Sequence, residues 1–179
     1  MKKYLYMIAA LFGIDYFCKE NIEAQKPEDF PRDMEKSHGK IRLYRNHNDG
    51  FCFGVKKEKK ELVRMVPVVF TSAAAGILTW LLCRDEGRKS DRLGFALITA
   101  GGLSNLYDRL KRGYVVDYFS IRCKYLEKVV FNLGDFFIFA GSALIAASDL
   151  LGAARDLTSP AKDHIKALRL PWRKTDEAE

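Results

Sequence analysis

Two aspartates eighteen positions apart, Asp117 and Asp135, are the residues of this sequence best suited to chemistry. Asp117 ends the apolar run Gly113–Asp117, and Asp135 opens a long apolar stretch. A carboxylate in apolar or membrane surroundings is unfavourable, so it is usually neutralised, paired or used. When two carboxylates share a site, one is held protonated and the other acts as a base. The pair therefore indicates water activation of the aspartic-protease type.

Each aspartate taken alone also has a structural explanation, since Asp135 would cap the apolar helix it precedes and Asp117 would form an ion pair in a loop. Asparagines accompany them: Asn132 lies three residues before Asp135, and Asn105 three before Asp108. On a helix such pairs share a face. An asparagine side chain both donates and accepts, which suits the holding of a peptide backbone. Hydrogen bonding between membrane helices is the equal alternative.

Three further features surround these residues. Arg109 keeps its charge and is expected to orient a backbone carbonyl or a lipid oxygen; an ion pair with Asp108 is the alternative, although adjacent helical residues do not face each other. Asp15 and Lys19 lie one helical turn apart, which predicts a structural ion pair at a membrane boundary. Gly101-Gly102 predicts close helix packing rather than a phosphate cradle, because no strand precedes it.

The chain that carries these residues has 179 amino acids, a net charge of +7 and a mean hydropathy of −0.17, values typical of a soluble basic protein. The distribution of apolar residues differs from that average. Met65–Cys83 is uncharged and just long enough to cross a bilayer. The runs Leu93–Tyr107, Phe136–Ser148 and Tyr4–Ile14 are shorter, and runs of that length also occur in core helices and signal segments. Polar residues at the ends of short spans favour a membrane enzyme.

Other function classes have little support. The basic residues are scattered among acids without a nucleic-acid-binding motif, so no nucleic-acid partner is expected. The four cysteines lack a Cys-x-x-Cys spacing and the histidines do not cluster with them, so we expect no zinc, no other metal and no cofactor. The sequence leaves both possibilities for Cys52 and Cys123, a disulfide between them or two free thiols. Neither a small-x-small site nor a lipobox before Cys18 follows the N-terminal apolar stretch, which predicts an uncleaved first span.

Apolar periodicity predicts four helices, over Tyr4–Cys18, Leu62–Cys83, Leu93–Leu110 and Asn132–Leu151. Between the first two helices we predict a polar loop, a short strand, a turn cluster and a second extended segment, at Glu20–Lys40, Ile41–Arg45, Asn46–Gly50 and Phe51–Val55. Tyr114–Phe119 is also predicted to be extended. A basic amphipathic helix is predicted after Ser159-Pro160, either on a membrane surface or as a solvated terminal helix.

Five blocks, in this order, resemble signal peptidase II, the lipoprotein signal peptidase family of bacteria. They are Asp15-x-x-x-Lys19, Asn48-x-Gly50-x-x-Phe53, the glycine-rich block from Gly101 through Asn105 to Asp108-Arg109, Gly113-x-Val-Val-Asp117, and Phe131-Asn132-x-x-Asp135. Any one block alone would be a weak signal, but the joint series is specific. The resemblance covers most of Tyr4–Leu151.

This resemblance implies an all-α membrane protein with four transmembrane helices, a small extracytoplasmic β-cradle and a C-terminal amphipathic helix. The implied domains are a membrane peptidase domain at residues 1–151, with an extracytoplasmic insert at 20–61, and a basic tail at 152–179. It further implies a multi-pass protein of the bacterial cell membrane with both termini cytoplasmic and the site near the extracytoplasmic face. The implied partners are diacylglyceryl-modified prolipoproteins and the lipid bilayer, with the protein itself a monomer.

The resemblance also implies roles for individual residues. The expected reaction is cleavage of the signal peptide before a diacylglyceryl-modified cysteine, by a water activated between two aspartates. The expected catalytic residues are Asp117 and Asp135. The expected substrate-binding residues are Asn48, Asn105, Arg109 and Asn132. The expected structural motif residues are Asp15, Lys19, Asp108 and Gly50.

Some residues depart from the family pattern. Tyr16 replaces a glutamine, Phe51-Cys52 replaces a pair of alanines, Ser104 replaces a glycine and Gly134 an alanine. None of these changes removes a carboxylate. They leave open a divergent paralogue with a narrowed substrate range. A divergent, non-catalytic paralogue that acts as a membrane scaffold is an alternative to the peptidase. A small ion-coupled transporter is a further alternative, against which the absence of an internal repeat argues.

Overall fold

The structure is a computed structural model that describes residues 1–50, 60–84 and 87–158. The helices are α1 (Lys2–Glu23), α2 (Lys60–Cys83), α3 (Lys89–Lys111) and α4 (Leu133–Thr158), and the strands are β1 (Arg32–Asp33), β2 (Ile41–Asn48) and β3 (Val115–Ile121). The described chain is therefore mostly helical with one small sheet. It divides into two compact units, Met1–Ile145 and the residues from Ala146. The first contains the sheet, α1 to α3 and the start of α4, whereas the described part of the second is the rest of α4.

All four predicted helices are present, and each is longer than predicted, α1 and α4 by the most. The helix predicted to end at Cys18 continues to Glu23, and α4 continues seven residues beyond Leu151 to Thr158. The polar loop predicted at Glu20–Lys40 is wrong in part, because it contains the last turn of α1, a 3-10 turn and β1. The last turns of α1 contain polar residues, which locally predict a loop. They are helical because Lys19 there is buried against partners far along the chain.

Two of the described helices are long and apolar enough to cross a bilayer, at Met65–Cys83 in α2 and Leu133–Arg155 in α4. The first coincides with the span predicted from the sequence. The second is longer than the predicted run Phe136–Ser148. Pro67 is the eighth residue of α2 and lies inside the helix, where a proline cannot donate the hydrogen bond to the carbonyl four residues earlier.

The strands form an antiparallel sheet in the order β1-β2-β3. Asn46 lies opposite Asp117, and Asn48 lies opposite Val115. The strand predicted at Ile41–Arg45 is confirmed, but the turn predicted at Asn46–Gly50 is wrong in its first three residues, which extend β2 because β3 pairs with them. The predictions for Phe51–Val55, for Cys52 and for the tail helix lie outside the described residues.

Glycines bring the helices into close contact. A Cβ on Gly101 of α3 would collide with the backbone carbonyl of Gly134 in α4, and one on Gly102 would lie 2.6 Å from Thr71 Oγ1 in α2. The predicted packing role of Gly101-Gly102 is thus confirmed. At the other end of the contact, a Cβ on Gly94 would lie 2.9 Å from the Gly141 carbonyl oxygen.

A small apolar cluster joins the elements that carry the polar residues. Ile22 near the end of α1 packs with Val116 and Tyr118 of β3, and Leu133 at the start of α4 packs against them. Burial of these side chains is favourable by roughly 1.5–3 kcal/mol for each fully buried large apolar residue. The cluster therefore fixes the end of α1, strand β3 and the first turn of α4 next to one another.

Candidate active site

Asp117, the third residue of β3, is held by two asparagines. Its side chain is only 3% exposed. Asn48 Nδ2 donates to Oδ2 at 3.0 Å, and Asn132 Nδ2 donates to Oδ1 at 2.7 Å. Asn48 reaches it from the neighbouring strand β2, where it lies two positions beyond Asn46, the residue opposite Asp117. The pairing of β2 with β3 thus sets the first of these contacts.

Asp135 is the third residue of α4 and takes part in a capping box with Asn132. The Asp135 backbone N–H donates to Asn132 Oδ1 at 2.9 Å, and the Asn132 backbone N–H donates to Asp135 Oδ2 at 3.3 Å. The other carboxylate oxygen, Oδ1, accepts from Asn105 Nδ2 at 2.8 Å. The capping role considered for Asp135 is therefore real, and it leaves Oδ1 directed at α3.

The two carboxylates line one small cavity. It has a volume of about 40 Å³ and is lined by Asn48, Asn105, Arg109, Val115, Asp117, Val129, Val130, Phe131 and Asp135. A cavity of roughly 10–15 Å³ suffices for one water molecule, so a water molecule fits here. Asn132 is fully buried beside the cavity and contacts both carboxylates, one through its amide and one through its backbone.

The electrostatic environment of Asp117 favours its protonated form. Burial, and after it the nearby charge of Asp135, raise the pKa of Asp117 to about 7, while the hydrogen bonds from Asn48 and Asn132 act in the opposite direction. An aspartic acid with a pKa near 7 exchanges its proton at neutral pH, as an acid–base catalyst must. The pair can therefore hold one proton between its two members.

Arg109 borders the cavity from α3. Its Nη2 atom donates to the Gly50 carbonyl at 2.9 Å, and the Gly50 N–H donates to Asn48 Oδ1 at 3.0 Å. The guanidinium therefore supports the segment that holds Asn48 against Asp117. Asp108, the alternative partner considered for Arg109, pairs instead with Lys19 and Arg112.

Behind the cavity lies a second polar cluster, which is fully buried. Lys19 Nζ lies 2.8 Å from Asp15 Oδ2, as the spacing of the two residues predicts, and 3.2 Å from Asp108 Oδ2. It also contacts Ser104 Oγ at 3.2 Å and Asn105 Oδ1 at 2.9 Å. We call this set, Asp15, Lys19, Ser104 and Asp108, the lysine cluster. The ion pair lies in the protein interior rather than on an exposed boundary.

The lysine cluster is connected to both elements that carry the aspartates. Asp15 Oδ1 accepts from the Tyr118 hydroxyl at 3.0 Å and from the Leu133 N–H at 3.1 Å. Asp108 Oδ2 accepts from the Val116 N–H at 3.1 Å. The two aspartates of the cluster therefore fix β3 on either side of Asp117 and the first turn of α4.

Two residues of the site had no predicted role. From the sequence, Ser104 is only a departure from the family pattern, but in the structure its hydroxyl donates to Asp15 Oδ2 at 2.6 Å. Tyr118 lies in the predicted extended segment Tyr114–Phe119 and directly follows Asp117 in the family block, with no role of its own. A tyrosine next to a buried aspartate needs a partner for its hydroxyl, and that requirement was the available signal. Within the described ranges, no group of three metal-ligating side chains forms.

Comparison with known proteins gives consistent matches. The family model described as Signal peptidase (SPase) II matches residues 7–151. A lipoprotein signal peptidase of Mesorhizobium japonicum is 30% identical over 154 residues, covering 86% of this chain and 88% of that protein. The lipoprotein signal peptidase of Brucella ovis is 34% identical over 119 residues, covering 66% and 73%.

Two solved structures have a similar fold, and both are described as a bacterial membrane enzyme. The first has a TM-score of 0.73 at 18% identity and covers 100% of this chain and 96% of its own. The second has a TM-score of 0.68 at 19% identity and covers 84% and 94%.

Proposed function

The chain belongs to the signal peptidase II family, whose members are bacterial membrane proteases, and from this premise we propose that it cleaves prolipoprotein signal peptides with Asp117 and Asp135. The scissile bond precedes a diacylglyceryl-modified cysteine. The observation that carries the proposal is the shared cavity, in which both carboxylates lie beside space for one water molecule.

In the proposed reaction the two carboxyl groups share one proton. The ionised member takes a proton from the cavity water as the water oxygen bonds to the scissile carbonyl carbon. The protonated member donates a hydrogen bond to the carbonyl oxygen, where negative charge develops. The tetrahedral intermediate then collapses, its C–N bond breaks, and the leaving amine of the cysteine receives a proton from the pair. The raised pKa of Asp117 supports this sharing.

The proposed role of the asparagines and Arg109 is to position the catalytic pair and the substrate. Asn48, Asn105 and Asn132 direct N–H groups at the carboxylates, so their proposed role is first to hold the catalytic pair and then to meet the substrate backbone at the cavity. Arg109 borders the same cavity and orients a substrate carbonyl or a lipid oxygen. In this proposal Asp15, Lys19, Asp108 and Gly50 act as structural residues behind them.

The proposed location is the cell membrane, crossed four times, with both termini cytoplasmic. The apolar lengths of α2 and α4 support membrane insertion. The last turns of α1 and α3 and the first turn of α4 meet at the carboxylates, which supports a site at one end of the helices, near the extracytoplasmic face. A lipid-anchored substrate would reach such a site from the plane of the membrane.

The experiment is a cleavage assay on the full-length protein in detergent, with a diacylglyceryl-modified prolipoprotein as substrate. Asp117→Asn and Asp135→Asn should each lower kcat by about a hundredfold to ten-thousandfold or more, with thermal unfolding still cooperative. Asp33→Asn is the matched control, because that carboxylate is half exposed and pairs with Arg122 away from the cavity.

Near-native turnover in either catalytic variant would reject the paired-carboxylate mechanism. An inactive wild-type protein would favour the scaffold or the transporter.

A further inference from the structure

The three asparagines at the cavity share one arrangement: each side-chain oxygen is engaged by a donor, and each side-chain nitrogen faces a carboxylate. Asn48 Oδ1 accepts from the Gly50 N–H at 3.0 Å, and Asn132 Oδ1 accepts from the Asp135 N–H at 2.9 Å. Asn105 Oδ1 accepts from Lys19 Nζ at 2.9 Å. Rotation of an asparagine amide by half a turn exchanges its donor for its acceptor, so the partner of the oxygen decides what the carboxylate meets.

For two of the asparagines that partner is a backbone N–H, but for Asn105 it is a buried ammonium. Lys19 is 1% exposed and held by Asp15, Asp108 and Ser104. An ammonium donates and cannot accept, so only the oxygen of the Asn105 amide can face it favourably. The nitrogen is thereby directed to Asp135 Oδ1, at 2.8 Å.

We propose that Lys19 is a positioning residue of the peptidase reaction, which acts through Asn105 to keep an N–H donor on Asp135. This inference rests on the proposed function, since it assigns Asp135 to the catalytic pair. If the Asn105 amide turned over, its oxygen would face Asp135 and accept a hydrogen bond from the protonated carboxyl. The shared proton would then be held in that contact and withdrawn from the substrate.

The position of the lysine cluster is consistent with this role, because its aspartates contact the elements that carry the catalytic pair. Asp15 is fixed to β3 and α4 through Tyr118 and Leu133, and Asp108 is fixed to β3 through Val116. The ammonium that orients Asn105 is therefore held by groups tied to the two elements that carry the catalytic aspartates. A displacement of either element would shift Lys19 and with it the amide.

A double-mutant cycle tests the proposal. Lys19→Met, Asn105→Ala and the double variant are purified as full-length protein, and kcat and KM are measured with a lipid-modified prolipoprotein. Each single change should lower kcat by about tenfold to a hundredfold with little change in KM, because a hydrogen bond to a charged group is lost in the reacting pair. The double variant should be no slower than Asn105→Ala alone.

If the losses of kcat caused by Lys19→Met and Asn105→Ala multiply in the double variant, the proposal is overturned. A residue that merely supports the fold lowers kcat equally with or without Asn105. Lys111→Met is the control; this exposed lysine of α3 bonds the Tyr107 hydroxyl instead. Since Lys19→Met leaves two buried carboxylates without their shared cation, the cycle is repeated in an Asp15→Asn background, which reduces the uncompensated charge.

Thermal unfolding accompanies every assay. Failure of Lys19→Met to fold in both backgrounds would assign Lys19 to folding alone and overturn the proposal. Asp135→Asn in the same preparations separates the two hypotheses. If Asp135→Asn is inactive while the losses from Lys19→Met and Asn105→Ala multiply, only the role of Lys19 is rejected. If Asp135→Asn retains native turnover, the proposed mechanism itself is rejected.

Discussion

Two buried pairs of aspartates lie side by side in this protein and are treated in opposite ways. In the lysine cluster, Asp15 and Asp108 contact a cation, Lys19, and Asp108 also contacts Arg112. In the cavity, the contacts that the described residues make to Asp117 and Asp135 come from neutral nitrogen donors. A cation at contact distance compensates the charge of a buried carboxylate, whereas neutral amide donors compensate that charge only in part. The first pair is thereby suited to hold structure and the second to exchange a proton.

The largest expected effect is a contrast in stability between the two pairs. Asp108→Asn removes one partner from a buried ion-pair cluster and should lower the free energy of unfolding by about 3–5 kcal/mol. Asp117→Asn should leave it unchanged or raise it at neutral pH, because a neutral side chain replaces a buried carboxylate whose hydrogen bonds, within the described residues, come from neutral amides. Chemical or thermal unfolding in detergent measures both variants. Equal destabilisation by Asp108→Asn and Asp117→Asn would show that the two aspartate pairs contribute to stability in the same way.

The pH dependence of unfolding sharpens the same contrast. The pKa of Asp117 rises from 3.8 to about 7 in the folded protein. Between these values the folded state binds more protons than the unfolded state, so the contribution of Asp117 to stability falls as pH rises from about 4 to about 7, by at most roughly 1.4 kcal/mol per unit. Asp117→Asn should remove this slope. An unchanged slope in that variant would mean that Asp117 is not the group responsible.

A smaller effect is expected from the amide donors. The hydrogen bond from Asn48 lowers the pKa of Asp117, so Asn48→Ala should raise it and move the high-pH limb of the kcat/KM profile upward by roughly one unit. Asn46→Ala is the matched control, since this exposed asparagine lies on the same strand opposite Asp117. A limb that stays in place, or moves to lower pH, would contradict the role given to Asn48.

The smallest effect is expected from a partly exposed ion cluster, which provides a baseline for the comparison. Glu23 Oε2 lies 3.3 Å from Arg45 NH2, and Glu23 Oε1 lies 2.8 Å from His47 Nε2. Glu23→Gln should cost about 1 kcal/mol or less, and the loss should shrink further in high salt. Unfolding at two ionic strengths tests this. A loss as large as that of Asp108→Asn would show that burial does not control the energy of these carboxylates.

The sequence predicted the parts of this molecule that local patterns determine. Apolar periodicity located all four helices, and β-branched and aromatic residues located β3. The spacing of Asp15 and Lys19 predicted their ion pair. Helix ends were predicted less well, since α1 keeps its helical backbone beyond its continuous apolar run, held by ion pairs with residues far along the chain.

Other features depend on contacts between distant residues and could not be predicted from spacing. Lys19 and Asn105 are separated by 86 positions, so nothing in the local pattern indicates that one orients the other. Strand β1 has two residues and exists only because β2 pairs with it. The continuation of β2 through Asn46 and Asn48 likewise depends on β3, because asparagines near a glycine read locally as a turn.

The contact between Gly101 and Gly134 has a consequence for how this enzyme tolerates change. Because the backbones of α3 and α4 touch there, the separation of Asn105 from Asp135, each only a few residues further along its own helix, is set by main chain against main chain. Outward-facing side chains on these helices therefore contribute little to that separation. Substitutions on the exposed faces of these helices are therefore expected to leave the candidate site intact, whereas a single methyl group added at Gly101 would push α3 and α4 apart.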